Sequence, residues 1–60
     1  MLGMRKARKA LGMTQKDLAD KIGVRELYIS RWETGLVSPS IDTLKRIAVV
    51  LGVTLDELVE

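Results

Sequence analysis

The sequence contains no cysteine and no histidine. Without cysteine there is no disulfide framework and no thiolate metal site. Without histidine the commonest metal ligand and the commonest general base are missing too. Zinc fingers and histidine-based hydrolases are therefore excluded. Phenylalanine is absent, and proline occurs once, at Pro39. No apolar run approaches the ~20 residues of a membrane-spanning helix. The opening "MLGMRKARKA" is basic but leads into no long apolar core, so it makes a poor signal peptide. Its apolar side, Met4, Ala7 and Leu11, is too thin for a membrane-surface helix. Nothing points to a metal, a cofactor or a small-molecule substrate. Asp17 and Asp20 stand at i and i+3 with no nucleophile beside them, so no enzyme chemistry is expected. The absence of cysteine fits a reducing cytoplasm, the expected location.

What is present is helical. The 60 residues allow one domain, 1–60. A chain this short buries only about 60 % of its unfolded surface, so its stability is expected to be a few kcal/mol. Net charge is +2, unevenly spread. Residues 1–35 hold eight Lys/Arg against four Asp/Glu, and residues 36–60 hold two against four. The basic half reads either as an ordinary solvated surface or as a face for a polyanion. Apolar residues recur at helical spacing throughout, which predicts an all-α domain with short connections.

Five helices follow from caps and periodicity. The first covers roughly Leu2 to Leu11, with Met4, Ala7 and Leu11 on one side and Gly12 ending it. Thr14 caps the second, with Asp17 completing a capping box and Met13 and Leu18 forming a hydrophobic staple. Leu18, Ala19 and Ile22 form its inner face, and it stops at Lys21 or Ile22. The third runs from about Arg25 to Thr34, with Ile29 and Trp32 inward and Gly35 at its end. Pro39 bars continuation, and Ser40 caps a fourth helix, Ile41 to Leu51, with Leu44, Ile47, Ala48 and Leu51 inside. After Gly52, Thr54 and Glu57 form a second capping box and Val53 and Leu58 a second staple, giving a short fifth helix from about Leu55 to Val59.

Only about three residues around Gly23 separate the second and third helices. So short a turn makes them cross steeply, as in a helix-turn-helix. Gly23 accommodates positive φ at the turn, and the small Ala19 lets the backbones approach. A plain helical hairpin with a glycine cap fits the turn alone. The joint spacing of Leu18, Ala19, Gly23, Val24, Ile29 and Trp32 favours the helix-turn-helix, at about residues 15–34.

The strings "TQKDLADKIGV", "ISRWETG" and "PSIDTLKRIAVVLGVTLDELV" resemble the Cro/repressor-type, or XRE-type, helix-turn-helix domains from about Met4 to Val59. The resemblance implies a compact, lambda-repressor-like five-helix domain. It also implies a prokaryotic or phage transcriptional regulator, expected to be a repressor, that binds double-stranded DNA as a homodimer in the nucleoid.

With Ile29 and Trp32 inward, a step of ~100° per residue turns Leu27, Arg31 and Thr34 outward, with Ser30 beside them and Glu26 and Tyr28 on the flanks. The second helix of such a motif reads bases from its N-terminal part. Glu26, Leu27 and Arg31 are the expected base readers, and the resemblance implies the same positions. Arg31 suits guanine O6 and N7, Glu26 cytosine N4, and Leu27 only a thymine methyl. Gln15, at a helix start, is the expected phosphate contact, a role the resemblance also implies. Lys16, Arg25, Tyr28 and Thr34 are further backbone candidates, while Arg5, Lys6 and Lys9 add long-range attraction. The resemblance further implies a structural ion pair between Arg8 and Glu33.

Two departures from the family pattern stand out. Arg25 occupies the usual Ser/Thr cap position and has no acceptor for the orphan N–H groups, which weakens the helix start by ~1 kcal/mol unless Glu26 helps. "GLVS" replaces polar residues common after that glycine, leaving Leu36 and Val37 as a dimer-contact candidate together with Val49 and Val59. Isolated surface apolar residues also occur without any such role. The competing function is a protein-interaction module that kept the fold without an operator, a reading that Leu27, Glu26 and the low net charge sustain.

Overall fold

The computed structural model describes residues 1–60. It contains α1 (Leu2–Ala10), α2 (Gln15–Ile22), α3 (Glu26–Thr34), α4 (Ile41–Leu51) and α5 (Leu55–Val59), and no strand. The all-α, five-helix reading therefore stands. No helix is long and apolar enough to cross a membrane. Helices α2 and α3 pack on one another, α1 packs on α5 and α3, and α4 bridges α2 and α5. Their inner faces close one core of Met4, Leu18, Ala19, Ile22, Ile29, Trp32, Leu44, Ile47, Ala48, Leu51 and Leu58.

The helix starts have local causes. The Thr14 hydroxyl accepts from the Asp17 N–H at 3.0 Å, and the Asp17 carboxylate accepts from the Thr14 N–H at 3.0 Å. Thr54 and Glu57 form the same reciprocal pair at 3.1 and 2.9 Å. Both carboxyls are held below their ordinary range, first by the backbone N–H and then by the hydroxyl of the capping threonine. Ser40 accepts from the Thr43 N–H at 3.2 Å. Helix α3 alone of the last four starts without a side-chain cap, because Arg25 supplies no acceptor.

Gly23 ends α2 at φ 75° and ψ 34°. The N–H groups of Gly23 and Val24 both donate to the Ala19 carbonyl, at 2.9 and 3.0 Å. The Arg46 guanidinium reaches from α4 to the Ile22 carbonyl, tying the end of α2 to the body. The turn is thus held from inside by Ala19, 1 % exposed, and from behind by Arg46.

Helix α1 departs from expectation. Leu11 does not face the core; it is 54 % exposed. The helix ends at Ala10, and Leu11 lies in the turn at φ −90° and ψ 2°, so helical stepping no longer sets its direction. The inner stripe is instead Gly3, Met4 and Arg8, with Ala7 half-buried. Gly3 lies against the backbone of α5. Pro39, read only as a helix stop, is also buried.

Candidate nucleic-acid interface

The outward face of α3 follows from its inward anchors. Ile29 is 0 % and Trp32 7 % exposed, which turns Glu26, Leu27, Arg31 and Thr34 to solvent. Leu27 is 45 % and Tyr28 40 % exposed. The Tyr28 ring leans on Trp32, with centroids 6.0 Å apart and planes tilted by 31°. Ser30 is half-buried beside this face. The Thr34 hydroxyl donates to the Arg31 carbonyl at 3.2 Å, so its proton is engaged within the helix. No hydrogen bond or ion pair ties down the side chains of Glu26 or Arg31. They are available to a partner.

Helix α2 begins with Gln15 and Lys16, and Lys16 lies near enough to Glu26 of α3 to feel its charge. Lys16 Nζ lies 3.0 Å from Asp20 Oδ2, and both side chains are exposed. That hydrogen bond raises the Lys16 pKa, and the charges of Asp20 and Glu26 add to the effect. An exposed pair of this kind contributes little stability and exchanges readily for another anion. Arg25 stands exposed at the turn between the two helices.

Behind this face lies a buried polar cluster. Arg8 Nε donates to Glu33 Oε2 at 2.6 Å, and Arg8 Nη2 donates to Glu33 Oε1 at 3.0 Å. Arg8 Nη1 donates to the Met13 carbonyl at 2.8 Å. Gln15 Nε2 donates to Glu33 Oε1 at 3.2 Å, and Arg5 Nε approaches the same oxygen at 3.5 Å. Burial pushes the Glu33 carboxyl up, but the hydrogen bonds from Arg8 and Gln15 and the charge of Arg8 outweigh it, leaving it below the ordinary carboxylate range. The bond to Glu33 raises the Arg8 pKa against the opposing effect of burial. This cluster joins α1, α2 and α3 at one point. No buried side-chain nitrogen or oxygen lacks a partner.

Several contacts escaped the sequence reading. Arg5, expected to act through long-range attraction, lies against Glu33 instead. The Met1 amine donates to the Trp32 and Glu33 carbonyls, both at 3.0 Å, at the negative end of the α3 dipole. The contact of Arg46, on α4, with the end of α2 was missed because spacing along a helix says nothing about which carbonyl a long side chain reaches. Leu36, Val37 and Val49 are 75, 45 and 81 % exposed, and Val59 52 %.

Comparison with known proteins agrees with this geometry. A helix-turn-helix family model matches residues 4–58. An uncharacterised HTH-type transcriptional regulator of Methanothermobacter thermautotrophicus is 45 % identical over 49 residues, covering 82 % of this chain and 71 % of that protein. The transcriptional repressor RstR of Vibrio cholerae is 37 % identical over 51 residues, covering 85 % of this chain. This chain spans 46 % of RstR and 27 % of the transcriptional activator BcrR of Enterococcus faecalis. A crystal structure of SinR, master regulator of biofilm formation, in complex with DNA superposes with a TM-score of 0.85 at 35 % identity, covering 100 % of both chains. Family model, relatives and superposition converge with the Gly23 turn and the Arg8–Glu33 cluster, and the chain belongs to the XRE-type helix-turn-helix family.

Proposed function

We propose that this domain binds double-stranded DNA sequence-specifically, with α3 in the major groove, and acts as a transcriptional regulator. The observation that carries this reading is the outward face of α3, which the Gly23 turn and the Ile29 and Trp32 anchors present as a unit with no internal partner for Glu26 or Arg31. Arg31 forms two bonds to guanine, Glu26 accepts from cytosine, and Leu27 packs on a thymine methyl. Gln15, Lys16, Arg25 and Tyr28 hold the sugar–phosphate backbone and set the register, and Thr34 joins them by turning its hydroxyl proton from the Arg31 carbonyl to a phosphate. Repression follows where the bound site overlaps a promoter, and RstR is itself named a repressor. Such work places the protein in the cytoplasm, at the nucleoid.

A salt series on immobilised duplex tests the reading. Lys16 and Arg25 on phosphates give a slope of log K against log salt of about −2 per domain. Retention that ignores salt removes DNA as the partner. It leaves the protein-interaction reading, which the exposed Leu27 and Tyr28 on the same face favour.

The domain is further proposed to dimerise on DNA. Leu36 and Val37 follow α3 directly, and Val49 is the most exposed large apolar residue on α4. A contact through Leu36 and Val37 sets two α3 helices on successive major grooves, about 34 Å apart. Leu36→Glu and Val49→Glu are expected to lower two-site duplex occupancy while leaving single-site affinity within a factor of about two, as surface changes away from the groove should. Sedimentation of protein–duplex mixtures distinguishes the two: a wild type that loads only singly, like both variants, removes this dimer contact.

A further inference from the structure

We infer that Glu33, beyond pairing with Arg8, is the positioning residue that fixes the Gln15 side-chain amide so that one N–H is presented at the start of α2 to a phosphate. The inference rests on the phosphate role proposed above for Gln15.

Glu33 is suited to hold another group because it cannot itself move. Its side chain is fully buried. Two bonds from Arg8 and the approach of Arg5 surround it. An ionised carboxylate only accepts hydrogen bonds. Gln15 therefore turns its nitrogen to Glu33 Oε1, at 3.2 Å. Flipping the amide would set Oε1 against a carboxylate oxygen, two acceptors face to face. Of the two hydrogens on Nε2, one is engaged by Glu33 and the other has no partner in the protein. The Glu33 carboxyl lies below its ordinary range, which keeps this arrangement in place in neutral and mildly acidic solution.

The consequence is preorganisation. A free glutamine surrenders its rotamers when it binds. Gln15 has already surrendered them on folding, so less is lost at the phosphate. Glu33 sits at the end of α3 and Gln15 at the start of α2. One carboxylate thus ties the phosphate contact to the helix that faces the bases.

The wild-type chain offers a direct test, because Gln15 is its only glutamine and it has no asparagine. In a nitrogen-15 spectrum the single carboxamide NH2 pair belongs to Gln15. Its order parameter is expected near the ~0.85 of rigid backbone in the free protein. An order parameter below ~0.6 overturns the inference.

A mutant cycle with a short mixed-sequence duplex provides the functional arm. Gln15→Ala is expected to lower affinity about tenfold in the wild type, the loss of one bond to a charged group. In a Glu33→Gln background the same change is expected to have little effect. There the amide oxygen takes the Oε2 place, on the shorter 2.6 Å bond from Arg8 Nε. This sets an NH2 group against Gln15 Nε2, two donors face to face, so Gln15 is no longer held. Equal losses in both backgrounds overturn positioning by Glu33. If Glu33→Gln fails to fold, the order parameter decides alone. Affinity unchanged by Gln15→Ala, with a rigid NH2 pair, overturns the phosphate role but not the restraint by Glu33.

Discussion

Glu33→Ala is expected to leave the domain largely unfolded at room temperature. Removing the carboxylate strands Arg8, which is 6 % exposed, without the acceptor of two of its hydrogen bonds. Breaking a buried pair from one side costs about 3–5 kcal/mol, because the remaining charge stays desolvated and unpaired. A sixty-residue domain has only about that much stability in total. Gln15 and Arg5 lose the same acceptor, so the junction of α1, α2 and α3 opens together. The double substitution Arg8→Met with Glu33→Met removes both charges and is expected to recover most of the loss, as apolar replacements of buried pairs do. Circular dichroism melts check both. A single variant melting within a few degrees of the wild type contradicts the role assigned to the pair, since a domain this small shifts about 4–8 °C per kcal/mol.

The same carboxylate sets a pH dependence. The folded pKa of Glu33 lies below its unfolded value. Its contribution is therefore complete above the unfolded pKa and is lost as pH falls through the folded one. The melting temperature of the wild type should decline on acidification below the ordinary carboxylate range. The exposed Asp17 and Glu57, also lowered, add to that decline in the same direction.

Gly3→Ala is expected to destabilise the domain by about 1–3 kcal/mol, although alanine is the better helix former. A Cβ at Gly3 would run into the Glu57 carbonyl oxygen and sit 2.8 Å from that of Leu58. Both obstacles are backbone, so no flexible side chain can swing away. Relief requires α5 to lift, which exposes Leu58, a core residue at 0 % exposure. Gly12→Ala provides the contrast. Nothing lies within 4 Å of its Cβ, and only the φ of +69° resists, at roughly 1–2 kcal/mol. Thermal melts should place Gly3→Ala at or below Gly12→Ala. A stabilised Gly3→Ala would mean that α1 and α5 do not approach so closely.

Gly3 also shows where sequence reasoning stops. Glycine in the first turn of a helix carries no periodic signal, and its meaning lies in a contact with residues 57 and 58 at the other end of the chain. The same holds for Arg46, whose carbonyl partner is 24 positions away. Helices α2, α4 and α5 were legible because their signals are local: a hydroxyl at the cap, apolar residues on one stripe and, for α2 and α4, a glycine at the end. Helix α1 was misread at Leu11 because it ends one residue earlier, and Gly3 and Arg8, which share the buried stripe with Met4, carry no hydrophobic signal. The outward face of α3 was legible from Ile29 and Trp32 alone. The partnership of Arg8 with Glu33 was legible only through family resemblance, since charged residues on helices ordinarily face water. The share of Gln15 in that cluster could not be read from the sequence at all.

The central claim is that α3 reads bases and that Arg31 reads a guanine. Selection from random duplexes, run in parallel with wild type and Arg31→Ala, tests it most directly. The wild type should enrich a defined site, and Arg31→Ala should relax one guanine in it by about 1–3 kcal/mol while the other positions persist. No enrichment by the folded wild type, or an identical site with undiminished guanine preference for Arg31→Ala, would contradict it.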